Sequence, residues 1–280
     1  MNQQELHDQI LYPVTRVKAG KAGGSGVLVY SEPDPIDANK YINIVLTCQH
    51  VINDAISVKN EWDSLLKREI KKDIMEEVAI EVFDYDGSKI SSANSSQAEI
   101  IAYDKGHDLA AVKLNNTRQQ DYVAKIYPKD KIDDLKLFDE VWTSGCSLLH
   151  DPLANKGELT YLREIIEQKA YLMYNAPSIF GNSGGGLFHA NGSLLGLCSR
   201  ITNIQLGFGI DVMTWMGFST HPSRMYEFFE HQELQFIYDG SNYHDATNRR
   251  KERQRKSLRH LFIEEKDADK VDVSDEYRMT

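Results

Sequence analysis

An all-β core is the fold class this sequence predicts, and two observations predict it. Short β-type apolar runs recur along the chain, at residues 41–51, 109–114 and 170–174, each bounded by polar or glycine-containing stretches. The second observation is local. Residues 186–190 run into Asn191-Gly192, the sequence of a type I′ turn, and residues 193–198 follow as a returning strand.

The elements then follow in order. Residues 3–12 read as a short helix before Pro13, and residues 14–18 and 26–30 as strands around a glycine-rich turn. Ser31-Glu32-Pro33-Asp34-Pro35 is a surface loop by its prolines and acids. The apolar run at 41–51 is a strand ending at His50. From 60 to 75, Trp62, Leu65, Leu66, Ile70 and Ile74 recur at helical spacing behind a capping Asn60, which predicts an inserted amphipathic helix. Residues 78–85 alternate as a strand, Asp86-Gly87 turns, and residues 99–103 lead into a loop carrying Asp104, His107 and Asp108. The polar stretch 115–139 connects two halves. Residues 141–147 open the second half, and 161–166 with 170–174 form a hairpin. His221-Pro222 starts a helix with Pro222 near its first position and Met225, Phe228 and Phe229 on one face. Residues 231–280 form a helical, charged tail, basic at 249–256 and acidic at 264–276.

Composition narrows the class. With 41% hydrophobic and 10% aromatic residues in 280, the chain has the material for a sizeable core. A net charge of -10 argues against wholesale nucleic-acid binding, which needs clustered cations. Cys48, Cys146 and Cys198 are odd in number and show no framework spacing, so a secreted disulfide scaffold is not expected. The polar N-terminus has no leader-like apolar core, and no apolar run approaches a membrane span; the expected location is the cytoplasm, with no membrane partner.

The chemistry centres on Ser183, set among Gly181, Gly184, Gly185 and Gly186. Glycines let the chain turn with positive φ and aim successive N–H groups at one point, a pocket for a developing oxyanion. A serine nucleophile needs a base, and the base an orienting carboxylate. His50 ends one strand and Asp108 precedes another, so the order is His, Asp, Ser. The same stretch fits G-x-S-x-G, but a strand follows it where the α/β-hydrolase elbow has a helix. Asp104 is the second-choice carboxylate. His107 lacks a metal-ligating partner at ligand spacing in its own element and reads as a loop residue, and Cys146 reads as a buried thiol without a base.

Thr47-Cys48-Gln49-His50-Val51, Asp108-Leu109-Ala110 and Gly181-Asn182-Ser183-Gly184-Gly185 resemble the three signatures of trypsin-like serine proteases, and most resemble the bacterial high-temperature-requirement branch. Gly23-Gly24-Ser25-Gly26 and residues 141–145 resemble strands of the same family. The resemblance implies two six-stranded antiparallel β-barrels with an inserted helix and a C-terminal helix. The protease domain would span 1–230, with a first barrel at about 13–115, the helical insert at 60–75 and a second barrel at about 138–215. The tail at 231–280 leaves no residues for the peptide-binding domain of that branch. By the same resemblance His50 is the general base, Asp108 its orienter and Ser183 the nucleophile, and the N–H groups of Gly181 and Ser183 form the oxyanion hole. Pro177, Ser178, Ile179, Phe180, Cys198 and Ser199 would wall the substrate pocket. No acid is among them, so a small or apolar P1 residue is expected unless Asp211 points in. Asn182 stands where an acid would mark zymogen activation, which is therefore not expected.

The function this implies is a serine endopeptidase acting on protein or peptide substrates through an acyl-enzyme, with no metal or organic cofactor. The insert is expected to pack on the first barrel; the alternative is a regulatory partner docking at residues 60–75 or at the charged tail. Two other readings are an esterase using the same serine and a protease-like binding module with a closed site.

Overall fold

The computed structural model describes residues 1–64, 67–207 and 209–253. Strands β1 (Val14–Ala19), β2 (Ala22–Pro33), β3 (Tyr41–Thr47), β4 (Ile56–Asp63), β5 (Arg68–Met75), β6 (Val78–Asp86), β7 (Lys89–Asp104) and β8 (Leu109–Leu114) come first. Six of them close an antiparallel barrel in the order β1-β2-β3-β8-β7-β6. Val14, Val17, Val27, Ile44, Val45, Ile80 and Val112 of these strands are fully buried. Short β-branched side chains suit such positions, because they pack on a pleated surface with little rotamer freedom to lose.

The glycine-rich segment is the strand that the resemblance implies, not the turn that its glycines suggest. The turn between β1 and β2 falls at Gly20, whose φ is +57°, and Gly23 to Gly26 run inside β2. They are glycines for lack of room. A Cβ on Gly26 would lie 2.6 Å from Val45 Cγ1, and one on Gly24 would lie 2.7 Å from the Ser183 carbonyl.

The second barrel is built from β9 (Glu140–Gly145), β10 (Leu153–Ile166), β11 (Lys169–Tyr174), β12 (Gly186–His189), β13 (Leu194–Leu206) and β14 (Gly209–Thr220), in the order β10-β11-β14-β13-β12-β9. Leu159, Leu172, Tyr174, Leu187 and Leu195 form its core. It runs to Thr220, past the expected end near 215. The turn between β12 and β13 also differs: the Gly192 N–H donates to the His189 carbonyl at 2.8 Å and only Gly192, at φ +84°, is left-handed. That is a type I turn closed by a left-handed glycine, the longer hairpin solution.

The predicted helical insert is two strands. β4 and β5 form a two-stranded sheet, tied by Lys72 Nζ to Glu61 Oε2 at 2.8 Å. The signal was degenerate: Trp62, Ile70 and Ile74 lie at multiples of four, a spacing that keeps one face on a helix and on a strand alike. Leu65 and Leu66, the middle of the presumed stripe, lie outside the described residues.

At the N-terminus α1 (Gln3–Leu6) continues as a wider turn over His7–Leu11, and Asn2 with Glu5 forms a reciprocal capping box. Helix α2 (Pro222–His231) starts as expected, with Pro222 at its first position and the His221 side chain accepting from the Ser223 N–H at 3.2 Å. Met225, Phe228 and Phe229 are fully buried. Beyond it lie α3 (Phe236–Asp239) and a helical stretch at 243–253, where Arg249 and Arg253 pair with Glu233. The acidic block at 264–276 lies outside the described residues. The chain divides into two compact units, Met1–Ser57 with Met75–Gln232, and Val58–Ile74 with the chain from Glu233. Both barrels and every candidate catalytic residue belong to the first. Among the described residues no helix is long and apolar enough to cross a membrane.

Candidate active site

Where β3 ends, Cys48 caps a short helical turn over Gln49–Ala55 with extended backbone, and His50 sits in its first turn. The Thr47 hydroxyl, donating to the Ser25 carbonyl at 2.7 Å, ties the strand end to β2. Asp108 lies in the tight loop between β7 and β8 at φ +56°, a left-handed conformation that an aspartate tolerates better than most residues. The loop is closed by the His107 N–H donating to Asp104 Oδ1 at 2.9 Å. From outside, the buried Arg224 of α2 donates to the carbonyls of Gly106 and His107. Asp104 is therefore a loop cap, and Asp108 is the carboxylate that reaches the histidine.

Asp108 accepts from three sources. His50 Nδ1 lies 2.9 Å from its Oδ2, the His50 backbone N–H donates to Oδ1 at 3.1 Å, and the Ser199 hydroxyl donates to Oδ2 at 2.7 Å. Burial pushes the carboxyl up, but the hydrogen bonds and charge of His50 and the bond from Ser199 outweigh it and hold Asp108 below the usual carboxylate range. It stays ionised. Ser199 was expected only as pocket wall; its reach to Asp108 had no signal in the sequence. His107 is half-buried, with its carbonyl engaged by Arg224 and its ring 5.9 Å from that of His231.

The loop carrying Ser183 is held from behind by the first barrel. Ser25, fully buried in β2, donates its N–H to the Ser183 carbonyl at 2.8 Å and its hydroxyl to the Gly181 carbonyl at 2.7 Å, and accepts from the Cys146 N–H at 2.7 Å. The Leu148 N–H holds the Phe180 carbonyl at 2.7 Å, which turns the Phe180-Gly181 peptide so that its N–H points the other way. Gly181 and Gly184 have φ of +95° and +85°. At Gly184 a side chain has no space either, since a Cβ would meet the Ser25 carbonyl at 2.1 Å. Asn182 is buried and satisfied as a neutral amide, accepting from Ser147 Oγ at 2.5 Å and donating to Ser178 Oγ at 3.2 Å. The N–H groups of Asn182, Gly184 and Gly185 all find carbonyls. Among the described residues those of Gly181 and Ser183 donate to none.

A cleft of about 300 Å³ brings these parts together, lined by His50 and Ser183 and by Ser178, Ile179, Phe180, Cys198 and Ser199 of the expected pocket. No hydrogen bond joins Ser183 Oγ to His50 among the described residues; such contacts are often open without substrate. Pro177 is not in the lining, and its carbonyl instead accepts from Thr143 and Asn155. Arg200 and Ile201, the next residues of β13, were missed and line it too; Arg200 pairs with Glu167 at 2.6 Å. Asp211 is exposed opposite Ile204 on the β13–β14 hairpin and does not line the cleft. Cys146 is the buried thiol expected, pushed by burial up to about 12. A larger cavity of 470 Å³, lined by Lys129, Arg163, His221 and Glu230, contains none of the candidate catalytic residues.

Residues 24–197 match the family model of the trypsin-like peptidase domain. The fold is similar to that of the serine endoprotease from Yersinia pestis, at 18% identity and a TM-score of 0.54, covering 86% of this chain and 68% of that one. It is also similar to the HtrA-type protease AlgW with a tripeptide, at 16% identity and a TM-score of 0.58, covering 86% of this chain and 65% of the other. At these identities the likeness is one of fold. None of the curated proteins compared matches the chain in sequence.

Proposed function

The chain belongs to the trypsin-like peptidase domain family, a family of serine endopeptidases, and from that premise we propose that it cleaves peptide bonds through an acyl-enzyme on Ser183. The observation that carries this reading is the pair of His50 and the ionised Asp108, 2.9 Å apart, at a cleft also lined by Ser183, beside which two backbone N–H groups are left without acceptors. In this reading Ser183 Oγ attacks the substrate carbonyl carbon while His50 Nε2 takes its proton. Asp108 keeps the proton of Nδ1 in place and stabilises the imidazolium. The carbonyl oxygen gains negative charge and accepts from the N–H groups of Gly181 and Ser183, a contribution worth about 10²–10³ in kcat per donor. Collapse breaks the C–N bond, with the proton passing from His50 to the leaving amine. Water then enters by the same route and releases the acid, restoring Ser183.

We propose a small or apolar P1 preference. Ile179, Cys198 and Ile201 support it, as does a cleft lining in which no carboxylate takes part. Cleavage of an arginyl peptide faster than a leucyl or valyl one would overturn it.

Intact-mass labelling with a fluorophosphonate tests the whole assignment. The expected result is one adduct per chain, absent in Ser183→Ala and strongly slowed in His50→Ala. A folded wild type that does not label, or a Ser183→Ala variant that does, would sink the reading.

A further inference from the structure

Cys48 takes no part in the proposed reaction, yet its position is chemically loaded. Its Sγ, a ring nitrogen of His50 and a carboxylate oxygen of Asp108 all lie within 4.8 Å of one another. The backbone explains why: Cys48 and His50 flank Gln49 at the start of one helical turn, and the left-handed Asp108 swings its carboxylate onto the same spot. The thiol is fully buried and donates to the Cys198 carbonyl at 3.4 Å, an ordinary distance for sulfur, so a metal ion would displace that bond. One thiolate, one imidazole and one carboxylate suit a borderline-soft cation such as Zn²⁺, and not the oxygen-seeking Mg²⁺ or Ca²⁺.

The nitrogen-to-oxygen spacing is also close to what such an ion needs. Zinc bonded to nitrogen and oxygen at 2.0–2.1 Å in a tetrahedron separates those atoms by about 3.3 Å, and His50 Nδ1 and Asp108 Oδ2 already stand 2.9 Å apart. The ion would take the place of the proton between them, with sulfur as third ligand and water as the fourth.

We propose that Cys48, His50 and Asp108 form an inhibitory site for a thiophilic divalent cation. Binding replaces the S–H proton with an S–metal bond and releases that proton to solvent. On the imidazole, the metal occupies Nδ1 and the ring proton moves to Nε2. A protonated Nε2 donates instead of accepting, so His50 can no longer take the proton of Ser183. The inhibitory consequence rests on the proposed role of His50; the binding itself does not.

Two measurements separate those parts. Co²⁺ added to the metal-free protein is expected to give a thiolate-to-cobalt charge-transfer band that saturates at one ion per chain. Cys48→Ala and Cys48→Ser should lose the band and weaken binding by more than the roughly 10- to 100-fold that follows loss of an outer-sphere partner. In parallel, Zn²⁺ should slow fluorophosphonate labelling of the wild type, reversibly on chelation, and leave labelling of both Cys48 variants unslowed. Absence of the band, or a band that persists in both variants, overturns the site. Zinc slowing wild type and variants alike would overturn the inhibitory mechanism. If the folded wild type never labels, the peptidase reading fails, and the cobalt band still decides whether the metal site exists.

Discussion

The His50–Asp108 pair and the Gly181–Ser183 loop share one cleft but are finished to opposite degrees. Asp108 accepts from the ring and backbone of His50 and from Ser199, so its capacity for hydrogen bonds is largely used within the chain. In the loop, carbonyls are the groups held, by Ser25 and Leu148, while two N–H groups are left open. Under the proposed mechanism the difference matches the task of each half. A charge that must stay fixed through the reaction is best satisfied in advance, whereas donors meant for an oxyanion must stay unsatisfied until it forms, and only a rigid surround keeps them so.

Three substitutions would break or sharpen that contrast. Asp108→Asn keeps the shape of the first half but favours the wrong imidazole tautomer, and should lower kcat about 10⁴-fold with little change in KM; a loss of tenfold or less would mean the pair is not the functional half. Ser25→Ala attacks the second half from behind. It releases the Gly181 carbonyl, and should lower kcat about a hundredfold, the scale of one oxyanion-hole donor, with the His50–Asp108 pair intact by NMR of the imidazole proton. Unchanged kcat in a folded variant would show that the loop needs no support from the Ser25 hydroxyl.

Ser199→Ala is the gentlest. Losing a hydrogen bond to a charged group should slow turnover about tenfold and move the Asp108 pKa up toward its ordinary value. Because the folded carboxyl is held below its unfolded value of about 3.9, its stabilising contribution is present above that pH and is lost as pH falls through the lowered value. The gap in urea midpoint between wild type and Ser199→Ala should therefore be full at pH 7 and close in strong acid. A gap that does not vary with pH would mean that Ser199 acts by packing alone.

Much of this was readable in advance, and the misses are specific. The strands around His50, Asp108 and the Asn191-Gly192 turn were visible, because local alternation and turn chemistry need no distant partner. The insert was misread because a spacing of four residues fits both a helix and a strand, so only the pairing of β4 with β5 decides it. From its glycines alone the segment 23–26 reads as a turn, and only the resemblance makes it a strand, because glycine's two uses, positive φ and close approach, look alike in sequence. Here the second applies: Gly24 is pressed against the Ser183 carbonyl and Gly26 against Val45.

By itself the sequence determined the β class and the order of histidine, aspartate and serine, since these depend on neighbours within a few residues. Which groups hold the site was decided by tertiary structure. Ser25 meets Gly181 across 156 positions and Ser199 meets Asp108 across 91. Hydrogen bonds act over about 3 Å, and only barrel closure brings such distant residues that close.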